Sequence, residues 1–98
     1  MRRAAHLDKN HKSVKDYVKA CGCLWHDTAG LGGGFPDAIA GYAPTKRLAL
    51  VEIKNGAKAR TKPETRKRQE KFHAEWPVFV VRDDTQARML VEWLKEAR

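Results

Sequence analysis

Glu52 and Lys54 stand two residues apart in Val51-Glu52-Ile53-Lys54, at the end of an apolar run. On a β-strand, side chains at this spacing point the same way, about 6.5–7 Å apart. The strand therefore ends in a carboxylate beside an ammonium. With six Glu and eleven Lys in 98 residues, about 0.7 Glu-x-Lys pairs arise by chance, and a solvated strand end explains one of them. Asp37 adds meaning to the pair. It lies on the preceding extended segment, and the turn Ala43-Pro44-Thr45-Lys46 separates the two. A hairpin across that turn brings Asp37 alongside Glu52. Two close carboxylates repel, and a hard divalent cation bound by both relieves the repulsion. Mg²⁺ accepts few protein carboxylates and keeps waters, so Asp37, Glu52 and the Ile53 main-chain carbonyl suffice for a site. The alternative is that Asp37 caps a turn and Glu52 pairs with a surface arginine.

The surroundings favour the first reading. Eight basic residues fall between positions 54 and 71 (Lys54, Lys58, Arg60, Lys62, Arg66, Lys67, Arg68, Lys71), against Glu64 and Glu70. That stretch holds +6 of the formal +8. Phosphates are drawn to such a field, and it directly follows the acidic pair. Gln69 sits four after Thr65 and three before Phe72, on the inward stripe of a helix, where an amide needs partners. It either orients Lys54, a metal-bound water or a phosphate, or it bonds to nearby backbone. His26, at the end of a short strand, could contact a phosphate or stand as an ordinary strand-end histidine.

These residues need elements to hold them. Val14, Tyr17, Val18 and Cys21 follow the i, i+3, i+4, i+7 spacing of a helix over residues 7–21, which Gly22 ends. Asn10 is polar on that same stripe. Residues 23–26 read as a short strand, and residues 29–34 as a flexible glycine loop that allows close backbone approach. That loop matches neither the dinucleotide fingerprint nor a P-loop. Residues 35–42 read as a second strand with Pro36 near its start. Residues 48–54 are the clearest strand, with Leu48 and Leu50 on a core face that ends in Glu52, and Val51 and Ile53 on the other face. Residues 58–62 form a basic loop. Pro63 suits a helix first turn, and in the helix to about residue 75 Thr65, Gln69, Phe72 and Trp76 share a face. Residues 77–82 form a fourth strand. Asp83 or Asp84 caps a last helix with Ala87, Leu90, Trp93, Leu94 and Ala97 inward. The order is α-β-β-β-α-β-α, an α/β fold with a small mixed sheet flanked by helices.

Length and composition set the outer bounds. Ninety-eight residues, 42% hydrophobic and 33% charged, predict one soluble domain spanning residues 1–98. No apolar run approaches the roughly 20 residues of a membrane span. The N-terminus is basic without an apolar segment behind it, so no secretory signal is read there and a cytoplasmic location is expected. The positive balance favours a polyanionic partner. Cys21 and Cys23 are too few for a disulfide scaffold, and with His26 they supply three zinc ligands and no second cluster, so two reduced thiols are expected.

The run Gly34-Phe35-Pro36-Asp37, then Val51-Glu52-Ile53-Lys54, then Gln69 with Phe72 and Trp76-Pro77-Val78, resembles the PD-(D/E)xK nuclease superfamily. It is most similar to the VRR-NUC-like branch of small phage and bacterial nucleases, related to Holliday-junction resolvases. The resemblance spans residues 8–94. It implies a restriction-endonuclease-like fold and Mg²⁺- or Mn²⁺-dependent hydrolysis of phosphodiester bonds in DNA. It also implies Asp37 and Glu52 as metal ligands, Lys54 as the catalytic lysine and Gln69 as the family's helix glutamine. Asn10 falls where many relatives carry an acidic or amide residue on the first helix. DNA that is branched or flapped is the expected partner, and a homodimer follows if two strands are cut symmetrically. The host is then a bacterial or phage-infected cell. The rival expectation is a catalytically silent DNA-binding module that keeps the basic helix.

Overall fold

The computed structural model describes residues 9–54 and 63–96. Helix α1 (Lys9–Ala20) leads into β1 (Leu24–Asp27), a 3₁₀ turn at Ala29–Leu31, β2 (Ala38–Tyr42) and β3 (Arg47–Ile53). Helix α2 (Pro63–Glu75), β4 (Val78–Val81) and α3 (Asp84–Lys95) follow. The element order is the one expected from the sequence. The sheet runs β1-β2-β3-β4, with β1–β2 and β2–β3 antiparallel and β3–β4 parallel. A parallel pair requires a crossover, which the segment containing α2 provides. Among the described residues no helix is long and apolar enough to cross a membrane.

Strand alternation divides the sheet into two unlike faces. Ala38 lies opposite Val51 and Ala40 opposite Ala49, and all four are buried. Ile53 and Val81 join them, and α1 and α3 close over this face with Val14, Val18, Leu90 and Leu94. Each fully buried Leu of α3 contributes about 1.5–3 kcal/mol relative to exposure. The other face carries Leu48, Leu50 and Glu52. This corrects the expected sense of β3: Leu48 is 62% exposed, whereas Ala49, Val51 and Ile53 are in the core. Both phases of the alternation in β3 are apolar, so hydropathy alone does not choose between them. The choice falls to α1 and α3, which lie together on one side.

Other differences are local. The buried stripe of α1 runs His11, Val14, Val18, and Tyr17 is exposed. In α3 the buried set is Ala87, Leu90, Val91 and Leu94, a full i, i+3, i+4, i+7 stripe. Trp93 is instead exposed under the Arg47 guanidinium, 4.6 Å from its ring centroid. Ala97 lies outside the described residues. Strand β2 begins at Ala38 rather than 35, because Gly32, Gly33 and Gly34 all have positive φ and Phe35 N–H donates to Gly32 O at 3.1 Å. Gly22, at φ 87°, ends α1 as expected. Asp83 caps α3, its Oδ1 accepting from Gln86 N–H at 2.9 Å. Cys21 and Cys23 are free thiols, the second in the core.

Candidate active site

Asp37 reaches its place through the turn before β2. Thr28 N–H donates to Asp37 O and Thr28 Oγ1 to Pro36 O, each at 2.8 Å. Thr28 and Pro36 are buried, so this clamp is fixed. The β2–β3 register pairs Ala38 with Val51. One step further along the same register sets Asp37 opposite Glu52, where facing Cβ atoms lie about 4.5–5.5 Å apart. Asp37 Oδ2 accepts the Ile53 N–H at 2.8 Å, which turns the carboxylate toward the end of β3.

Glu52 is only 4% exposed. Its carboxyl is pushed up to about 7, first by burial and then by the charge of Asp37, with Lys54 opposing both. A carboxylate pair under this strain is what a divalent cation relieves. Lys54 Nζ lies 3.7 Å from Glu52 Oε2 and donates to Gln69 Oε1 at 3.3 Å. The ammonium is thus held between a strand carboxylate and a helix amide. Asn10 Nδ2 donates to Lys54 O at 2.8 Å, pinning the start of α1 to the end of β3. Lys54 N–H in turn donates to Val81 O at 3.0 Å.

The glycine loop sets the position of α2. A Cβ on Gly34 would stand 2.8 Å from the carbonyl carbon and oxygen of Arg68, so the helix backbone rests directly on this glycine. Phe35 meets Phe72 edge-on at 5.3 Å, and Phe72 stacks on Trp76 at 5.6 Å. With α2 seated this way, Gln69 points at Lys54. Gly34-Phe35 and Pro36-Asp37 therefore have separate tasks: the first pair docks the helix and the second presents the carboxylate.

Asp37, Glu52, Lys54, Gln69 and Asn10 thus gather at one end of the sheet, beside the Ile53 main chain. The two carboxylates are donors suited to a hard cation. Among the described residues no three His, Cys, Asp or Glu side chains form a metal cluster. His26 stays apart. It is exposed on β1 opposite Ile39 and lines a groove with Leu24 and Tyr42. Arg66, Lys67, Arg68 and Lys71 are exposed on α2. Lys58, Arg60 and Lys62 lie outside the described residues.

Two clusters were not read from the sequence. His73 and Arg82 line a cavity beside Lys54. Burial, and then Lys54, lowers the His73 pKa, so its ring is neutral at pH 7. The available signal was its spacing, four residues after Gln69. The second cluster centres on Asp27. Lys15 Nζ and Trp25 Nε1 donate to it at 2.7 and 2.8 Å, and His11 Nε2 lies 3.1 Å from its Oδ1. Burial raises the Asp27 carboxyl, but these donors outweigh it and hold the group well below the usual carboxylate range. This cluster ties α1 to β1 on the core side of the sheet.

No family model and no curated protein matches the chain. Among solved structures the chain is similar to one described as a VRR_NUC domain, at 26% identity and a TM-score of 0.56. The match covers 86% of this chain and 91% of that one. The fold is restriction-endonuclease-like: a four-stranded mixed sheet flanked by helices.

Proposed function

We propose that the protein is a divalent-metal-dependent DNA endonuclease of the PD-(D/E)xK type, acting on branched or flapped DNA. The observation that carries this reading is Lys54 Nζ held between Glu52 and Gln69, with Asp37 opposite Glu52. The likeness to a VRR_NUC domain supports it, as does the basic stretch that follows the site. Asp37, Glu52 and the Ile53 carbonyl would hold Mg²⁺ or Mn²⁺. Such an ion supplies Lewis-acid polarisation of the phosphodiester and a nucleophilic water at neutral pH. Lys54 positions that water or donates to the charge developing on the phosphate. Gln69 fixes the direction of the ammonium, and Asn10 fixes the main chain that bears it. Arg66, Lys67, Arg68 and Lys71 contact DNA phosphates, and Lys58, Arg60 and Lys62 are assigned the same role. A homodimer accounts for symmetric cutting of two strands. Its support is the apolar, partly uncovered sheet face around Leu48, Leu50 and Trp76.

Cleavage of four-way junction, flap, nicked and linear DNA with Mg²⁺, Mn²⁺ or EDTA tests the proposal. Wild type is expected to cut at least one branched substrate with metal and none in EDTA. Glu52→Gln and Lys54→Ala should each lower the rate by at least ~100-fold, the scale of losing a preorganised charge at a reacting centre. Equal cutting by all three proteins would overturn the site. Salt-sensitive binding without cutting under every metal would make the chain a silent DNA-binding module.

A further inference from the structure

The cavity lined by Lys54, Arg66, Gln69, His73, Val80 and Arg82 is not needed to hold a metal at Asp37 and Glu52, yet it adjoins them. Its volume is about 420 Å³, many times the roughly 30 Å³ share of one water. The β3–β4 register pairs Glu52 with Val80. Glu52 is therefore flanked by Asp37 on the β2 side and by this cavity on the β4 side, about one strand spacing of 4.8 Å away. Three permanent cations, Lys54, Arg66 and Arg82, face one carboxylate, Glu70. The position of His73 is the more telling feature. Its Nε2 is buried and has no hydrogen-bond partner among the described residues. Buried polar atoms are nearly always paired, and His73 lines the cavity, so a ligand seated there would satisfy this orphan once the ring turns toward it. Because burial and Lys54 keep the ring uncharged, it offers one N–H and not a fourth full charge.

We propose that this cavity is a second phosphate subsite, taking the phosphodiester next to the scissile one, with His73 and the guanidiniums of Arg66 and Arg82 as donors. The inference rests on the nuclease reading for the identity of the ligand, and it names a residue of recognition that reading lacks. Guanidinium forks match phosphate oxygens in pairs, which favours a phosphate over a neutral base or sugar. Val80 and Ala74 give the cavity an apolar floor against which the attached sugar can rest. A strand held at two successive phosphates is fixed in direction as well as position, so the scissile group meets Lys54 in one orientation.

Two measurements test the subsite separately from cleavage. In the first, inorganic phosphate is titrated in EDTA while the imidazole nitrogens of His73 are followed by NMR. A saturable shift of Nε2 is expected, weakened about 10-fold by Arg82→Ala, the usual scale of a lost charge-assisted hydrogen bond. No shift would overturn the subsite whatever the protein cuts. In the second, single methylphosphonates replace the phosphates flanking the cut in a DNA that wild type cleaves, and binding is measured in EDTA. One flanking replacement should weaken wild-type binding about 10-fold, and the same replacement should change His73→Ala or Arg82→Ala less than about 2-fold. His73→Gln, which keeps an N–H donor, should restore most of the wild-type sensitivity. Equal penalties in wild type and variants would overturn the subsite while leaving the nuclease reading intact. A responding His73 in a protein that cuts no DNA would overturn the nuclease reading and leave the phosphate site standing.

Discussion

Glu52 is the residue on which the electrostatics of the site turn. Its carboxyl stands near 7 in the fold against an ordinary value of 4.5. The sign follows from proton binding. Between those two values the folded chain holds a proton that the unfolded chain has released, so stability falls as pH rises through the window. Below 4.5 there is no penalty, and above about 7 it is complete. A shift of this size corresponds to about 3 kcal/mol. In EDTA at pH 8, Glu52→Gln should therefore unfold at higher urea than wild type, by on the order of 1–3 kcal/mol, since the lost attraction to Lys54 offsets part of the gain. At pH 4.5 the two proteins should unfold together. If Glu52 is a metal ligand as proposed, Mg²⁺ should stabilise wild type more at pH 8 than at pH 5.5, because a cation favours the ionised carboxylate. Urea midpoints across pH, with and without Mg²⁺, check all three outcomes. A variant no more stable than wild type at pH 8 would contradict the buried, repelled carboxylate.

At the scale of elements, the site depends on how α2 is seated on the loop before β2. Gly34 has φ 85° and no room for a Cβ against Arg68, whereas Gly33 has φ 67° and open space around it. Alanine at either position costs about 1–2 kcal/mol for the left-handed backbone. Only Gly34→Ala must also displace the helix, and with it Gln69. Gly34→Ala is thus expected to lose several-fold more activity than Gly33→Ala at comparable thermal stability of the sheet core. Cleavage rates beside thermal melts of the two variants test this, and equal rates would mean that α2 is not held by this contact. The same elements explain what was legible in the sequence. Asp37 opposite Glu52 could be read because strands alternate strictly and one turn joins the pair. Gln69 could be read because a single amide interrupts an apolar stripe at helical spacing. His73 was hidden among the basic residues of α2, where one more polar side chain looks like a solvated face. The core side of β3 was hidden because Leu48, Leu50, Ala49 and Val51 satisfy either phase, and only the positions of α1 and α3 decide it.

At the scale of the whole molecule, charge and apolar surface lie on different parts of the chain. The net +8 is concentrated around and beyond Lys54. Leu48, Trp76 and Trp93, by contrast, expose 62%, 53% and 41% of their surface around one groove of the sheet. Apolar surface grouped in this way on a small domain marks an interaction face. A self-complementary face of about 800 Å² per partner is the usual size for a stable pair. Pairing through this groove would cover the uncovered side of β3 and relate two catalytic ends by a two-fold axis, one for each strand of a branched substrate. Wild type should then sediment at twice its 11.1 kDa chain mass. Leu48→Lys should sediment as a monomer while changing stability by less than about 0.5 kcal/mol, as expected of an exposed position. On a supercoiled plasmid bearing a cruciform, wild type should yield linear product from paired cuts. The variant should yield nicked circles, because the proposed metal and phosphate sites would be unaltered but act one strand at a time. A wild-type monomer that still linearises the plasmid in one binding event would show that the apolar face serves something other than a second copy of the chain.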